Sequence, residues 1–340
     1  MTPGGTHQHL SWILTLSGLA LLLLLVSAMA LATGSADIPV TDIPGILLHG
    51  RGTFAHDILV KLRLPRLILG IAVGGSLSLA GAVLQGLFRN PLVEPYTLGI
   101  SGGASLGVCL SILFKWHLAI GIVAYPLAGF AGSLAVIATV YLISIRTSMV
   151  KTDTMLLTGV MISFVCSSLV MLLMAVSSSD ELQRIVFWIM GSLDETNPAL
   201  IRICLAGSLT GLGVSLLFCL DLNALTLGEE EASGLGVPIE RSKKILFITA
   251  SILTGLSVAA AGIIMFAGLI VPHFMRMTAG SDHRILLLSS FLGGAVFLTL
   301  CDIVARTVIA PLELPVGVIT GIIGGIVFIW VLTRRQKEAA

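Results

Sequence analysis

Charge is what this chain has least of. Only 11% of its 340 residues are Asp, Glu, Lys or Arg, 18 acids against 19 bases, for a net charge of +1. A soluble domain carries roughly a quarter charged residues, so a water-facing globule is excluded. The near-neutral balance also says nothing in favour of a nucleic-acid partner. Cysteine pairing is missing as well. Cys109, Cys166, Cys204, Cys219 and Cys301 lie inside apolar runs with no C-x-x-C spacing and read as small buried hydrophobes. No G-x-x-x-x-G-K-S/T motif is present, nor H-E-x-x-H, nor a G-x-S-x-G elbow. The seven histidines are scattered: His7 and His9 are near the start, and His273 sits beside Pro272. These absences disfavour ATP binding by a P-loop, a metal site and a hydrolase.

What is abundant is apolar sequence: 56% of residues are hydrophobic, and the mean hydropathy is +1.04. A run of about 20 apolar residues crosses a ~30 Å hydrocarbon core as a helix. Lipid offers no partner to an open strand edge. The expected fold class is therefore all-α and polytopic, a single transmembrane domain over 1–340. Spans are expected near 10–33, 65–88, 95–114, 118–145, 154–176, 198–220, 243–262, 263–277, 285–309 and 315–333. Gly262 interrupts one nearly continuous run and makes that boundary the hardest to set. The first run could be mistaken for a signal peptide, but no base precedes it and it exceeds the usual h-region, so it reads as a retained span.

Ten spans put both termini on one side, and the basic tail Arg334, Arg335 and Lys337 places that side in the cytoplasm. Segments then assigned inside, tail included, hold eleven bases, against eight outside: Arg51, Lys61, Arg63, Arg66, Lys115, Arg184, Arg202 and Arg306. The bias has the right direction but is modest, and the outward arginines need a reason of their own. Glycines four residues apart, such as Gly70/Gly74, Gly103/Gly107 and Gly317/Gly321, read as close helix crossings. A short amphipathic helix is expected over Asp180–Met190, with Trp188 as an interfacial anchor. Asp302 and Arg306 lie four apart within one apolar block, where they can pair on a helix face. No chain of buried acids appears of the kind an ion-coupled secondary transporter needs.

The stretch LTLGEEEASGLGVP (225–238) sets three acids side by side in this charge-poor chain. Glu229, Glu230 and Glu231 suit the first turn of a short helix, where acids favour the positive dipole end. Gly228 punctuates its start. Ala232, Ser233 and Leu235 give a compact face, and Gly234, Gly236 and Pro238 end it. A solvated loop that merely stays out of lipid fits these residues equally well.

The stretch LRLPRLILGIAVGGSLSLAGAVLQGLFRNPLVEPYTLGISGGASLG (62–107) resembles the signature of the FecCD-type permeases. These are the membrane subunits of type II ABC importers for ferric siderophores, haem and vitamin B12. FWIMGSL (187–193), LGEEEASGLGV (227–237), AGIIMFAGLIVPHFMR (261–276), GSDHRILLLSSFLGGAVFLTLCDIVAR (280–306) and ELPVGVITGIIGG (313–325) continue the likeness in order. Mild departures are Ala267, where Val is usual, and Val93, where Ala is common. The resemblance implies a ten-helix subunit paired with a second copy of itself in the inner membrane. It implies two cytoplasmic ABC ATPases that bind ATP–Mg, so that this chain carries no cofactor and is not itself an enzyme. It also implies a periplasmic or lipid-anchored substrate-binding protein.

On that resemblance 222–238 is the coupling-helix region, with Gly228, Glu229, Glu230, Glu231, Ala232, Leu235 and Gly236 meeting the ATPase. Arg63, Arg66 and Arg306 match positions that receive acids of the binding protein. Asn90, Pro91 and Leu92, with Thr152 and Asp153, match the inner gate. The implied cargo is a metal chelate, a ferric siderophore first, with haem and vitamin B12 as rivals. An ion-coupled secondary transporter is the alternative class.

Overall fold

The structure is a computed structural model and describes residues 3–34, 38–146, 149–150 and 152–338. It is a helical bundle: α1 (Pro3–Ala32), α2 (Leu64–Leu87), α3 (Ile100–Leu113), α4 (Ala124–Ser144), α5 (Thr152–Val176), α6 (Ser179–Met190), α7 (Pro198–Leu217), α8 (Cys219–Leu227), α9 (Glu229–Gly234), α10 (Ile239–Ala261), α11 (Ala267–Ala279), α12 (His283–Thr307) and α13 (Val316–Glu338). Among the described residues the only strands are a two-residue antiparallel pair, Ile145–Arg146 with Met149–Val150. Among the described residues seven helices are long and apolar enough to cross a membrane. We call the end where α2 begins the upper face and the end where it stops the lower face; α1 starts, and α13 ends, at the lower face.

Burial sorts the helices. In α2, 89% of the apolar window is buried, against 11% in α1 and 17% in α5. An all-round apolar helix with no polar face is suited either to a core or to lipid, and packing decides which. α2 lies at the centre against α12, α10, α7 and α11. The centre closes through backbone contact. A Cβ on Gly74 would strike the Gly294 carbonyl, and one on Gly294 would strike that of Gly74; Gly103 and Gly132 meet in the same reciprocal way across α3 and α4. Missing side chains there let the backbones themselves touch, the close packing lipid-embedded helices use in place of a hydrophobic drive.

Two expected spans are not full-length helices. The run 95–114 begins with a 3-10 turn, Pro95–Leu98, and only Ile100–Leu113 is α-helical. The run 263–277 starts with irregular chain, and its helix is Ala267–Ala279. Fourteen and thirteen residues reach about 21 and 20 Å, short of the ~30 Å core. The run 118–145 likewise splits, with a separate turn His117–Ile120 before α4. Each break falls at a Gly or Pro that apolar content alone masks.

α6 forms one residue earlier than expected, opened by Ser178, whose backbone N–H donates to Glu181 Oε2 at 3.0 Å. Trp188 is half-buried and packs against the cluster of Val108 and Ile185, while Phe187 is 57% exposed.

Candidate functional site

At the upper face Arg63, Arg66 and Arg306 turn inward. Arg63 is 6% exposed and donates from Nη1 to the Leu31 and Ala32 carbonyls at 2.6 and 2.8 Å. Arg306, 7% exposed, donates to the Thr33 and Ala30 carbonyls, both at 3.2 Å. These four carbonyls end α1 and carry the negative end of its dipole; Ala32 O also accepts the Ile38 N–H at 3.4 Å. Two guanidiniums meet them. Arg306 also pairs with Asp302 at 3.0 Å, the i,i+4 contact expected on α12.

Arg66 completes the network. Its Nε meets Asp302 Oδ1 at 2.7 Å, and its Nη1 meets Asp194 Oδ1 and Glu313 Oε2, each at 2.6 Å. Asp302 is buried, whereas Asp194 and Glu313 are exposed. One planar fork thus ties α2, α12, the segment after α6 and the segment before α13. A cavity of about 600 Å³ opens beside it, lined in part by Phe54, Leu62, Glu195 and Thr196. Arg63 and Arg306 are committed to backbone carbonyls, and only the outer nitrogen of Arg66 faces carboxylates that solvent reaches.

The middle of the bundle holds two groups that sequence reading passed over. After α2 the chain turns back, and Pro95 lies against Gly268 beside the Leu77 carbonyl, halfway along α2. Glu94 accepts the Phe266 N–H at 2.6 Å, and the Tyr96 hydroxyl accepts the Ile264 N–H at 3.1 Å. Residues 262–266 are the unwound link between α10 and α11, and Phe266 takes a left-handed φ of 67°. Helix N-termini leave N–H groups unpaired, and Glu94 supplies an acceptor at the start of α11. The signal was the acid in RNPLVEP, which reads as loop polarity until the loop is seen to enter the bundle.

At the lower face α9 forms where expected. Gly228, at φ 140°, precedes it, and Leu235 N–H to Glu231 O, Gly236 N–H to Ser233 O and Val237 N–H to Ala232 O close it. With Gly236 at φ 81° this is a Schellman ending. Ala232 is fully buried, and Leu235 is 68% exposed. The three acids are not equivalent. Glu229 pairs with the buried Lys243 of α10 at 2.7 Å. Glu230 and Glu231 are exposed, beside Ser233 and Gly234.

Asn90, Pro91 and Leu92 form an exposed turn at the same face, with Asn90 Oδ1 accepting the Leu92 N–H at 2.9 Å. Thr152 and Asp153 open α5, and their side chains lie outside the described residues. Nearby, Asp282 caps α12, accepting from the Arg284 N–H at 3.0 Å. The hydrogen bond from the Arg284 guanidinium holds its carboxyl well below the usual carboxylate range, with Asn223 assisting. Among the described residues no group of three His, Cys, Asp or Glu side chains could hold a metal.

Residues 21–334 match the model of the FecCD transport family. The chain is 37% identical to the hemin transport system permease protein HmuU of Yersinia pestis, over 93% of this chain and 95% of that one. It is 36% identical to the vitamin B12 import system permease protein BtuC of Salmonella typhi, over 97% of each. It is also 36% identical to an uncharacterized ABC transporter permease protein, YvrB, of Bacillus subtilis, over 97% and 95%. Among solved structures, one described as an inward-facing ABC transporter of metal-chelate type superposes with a TM-score of 0.84 and 32% identity, covering 94% of this chain and 98% of the other.

Proposed function

The chain belongs to the FecCD transport family, and from that premise we propose that it is the membrane permease of an ATP-binding-cassette importer for a metal chelate. A ferric siderophore is the first cargo; haem and vitamin B12 are the alternatives, each favoured by one named relative. Two copies line the path in the inner membrane, with the lower face and both termini in the cytoplasm. Separate ATPase chains bind ATP–Mg, and a binding protein delivers cargo to the upper face. The observation that carries this reading is α9: a short, well-capped helix that buries Ala232 and pairs Glu229 internally, yet leaves Glu230, Glu231 and Leu235 outward. Such an element transmits movement from a partner because it is fixed to its own bundle on one side and open on the other. Arg66, through the nitrogen now shared by Asp194 and Glu313, is the proposed contact for an acid of the binding protein. The turn Asn90–Leu92 and the start of α5, at Thr152 and Asp153, form the proposed inner gate.

Ion-coupled secondary transport has less support, since Asp302 is paired with two arginines and Glu94 is bonded to backbone. The test is reconstitution with the ATPase and binding protein in liposomes. Glu230→Lys with Glu231→Lys is expected to abolish uptake and the cargo-stimulated part of ATP hydrolysis while the permease dimer stays intact. Unchanged uptake, or uptake without any ATPase, refutes the reading. Challenging the binding protein with ferric siderophores, haem and cobalamin then identifies the cargo.

A further inference from the structure

At the lower face, the ends of α2 and α11 and the start of α12 enclose a cavity of about 270 Å³, with walls that include Gln85, Arg89, Asn90, Arg276, Ser281 and His283. No carboxylate lines it among the described residues. Arg276 is half-buried and donates from Nη1 to Gln85 Oε1. Gln85 in turn is spent on the Val93 and Gly268 carbonyls, at 3.2 Å each. Neither Arg276 nor Arg89 enters an ion pair among the described residues. His283 is 3% exposed; its Nδ1 lies 2.7 Å from Asn223 Oδ1, and its Nε2, against Gly86, has no partner. The neighbouring acid, Asp282, is turned to Arg284 and Asn223.

The buried cations Arg63, Lys243 and Arg306 are each answered by a carboxylate or by carbonyls. Here two guanidiniums face one space with no carboxylate on its wall among the described residues. Removing a cation from water is costly unless an anion meets it. Arginine forks match the oxygens of a phosphate group two at a time, and Asn90 and Ser281 add neutral polar groups on the same wall. One residue beyond His283, the Arg284 guanidinium lies over the Trp12 ring at 5.1 Å. An aromatic and a base at one level are typical of a membrane–water boundary. Basic pockets between helices at that boundary take phosphate-bearing headgroups.

We propose that this cavity is a binding site for a phosphate oxyanion, carried by an anionic phospholipid headgroup or free in solution. The site stands on the lower-face charge pattern alone and does not depend on transport or on the importer reading.

The test uses the full-length chain purified in a neutral detergent, as wild type, Arg89→Gln, Arg276→Gln and the double variant. Inorganic phosphate is titrated by calorimetry; retention of phosphatidylglycerol against phosphatidylcholine is counted by native mass spectrometry. The wild type is expected to bind at least one of the two anionic probes at one site per chain. Each single change should weaken binding roughly ten-fold, the value of one charge-assisted contact, and the double change should abolish it. Binding of phosphate alone assigns the site to a soluble anion, and binding of phosphatidylglycerol alone assigns it to lipid. Arg89 is exposed and outside the packed helices, so Arg89→Gln keeps the test decisive if Arg276→Gln does not fold. No binding of either probe, equal binding by wild type and double variant, or occupation of the cavity only by an acidic side chain of a partner protein overturns the proposal.

Discussion

At the upper end of the bundle, Arg63, Arg66 and Arg306 are answered within the chain by α1 carbonyls and by Asp194, Asp302 and Glu313. At the lower end, Arg89 and Arg276 meet no carboxylate among the described residues, and Glu230 and Glu231 stand outward. The same scarce resource is used in two ways. Above, charge joins elements far apart in the chain, from α1 to the segment before α13. Below, much of it is left for something the chain does not supply. A buried ion pair tolerates the loss of neither partner, whereas exposed charges can be changed at little cost to the fold.

The comparison breaks most severely at Asp302. Asp302→Ala removes the buried carboxylate that Arg66 and Arg306 share, and a loss of about 3–5 kcal/mol is expected, read as a collapse of thermal stability in detergent. A loss below about 1 kcal/mol, the range of surface pairs, would show that the upper network is not structural. Next is the middle: Glu94→Ala leaves the Phe266 N–H without its acceptor, with an expected cost of about 1–3 kcal/mol. Glu229→Ala tests the α9 acid that is turned inward, and should cost a similar or smaller amount by removing an ion-pair partner of Lys243. Glu230→Lys with Glu231→Lys is expected to stay within about 0.5 kcal/mol of wild type. If it destabilises as much as Glu229→Ala, the three acids are equivalent after all.

The smallest effect is one of pH. The folded Asp282 carboxyl titrates below its unfolded value of about 3.9, because Arg284 hydrogen-bonds its charged form. Its contribution is therefore present above that value and is lost as pH falls through the folded one, where the unfolded chain binds more protons. Unfolding followed down from pH 5 should show a small loss of stability that Asp282→Asn lacks.

What could be read from the sequence was local. The Asp302–Arg306 pair follows from a four-residue spacing on one helix, and α9 follows from three acids between glycines. Both are set by neighbours a turn away. The third member of the upper network was hidden because Arg66 lies 236 positions from Asp302. The α1 carbonyls that hold Arg63 and Arg306 carry no side-chain signature at all. Glu94 was hidden for a third reason: hydropathy reports how apolar a run is, not whether the loop beside it folds back into the bundle. The difference between Glu229 and its two neighbours needed the Lys243 side chain in place. Membership of the family came from motifs spread along the chain, which no single local rule would have joined.

The short helices α3 and α11 have a consequence for how the protein is made. Neither is long enough to partition into lipid as an independent passenger of the insertion machinery, and α11 begins on a strained residue whose N–H is met by an acid made some 170 positions earlier. Glu94 therefore gains this bond only once Phe266 has been synthesised.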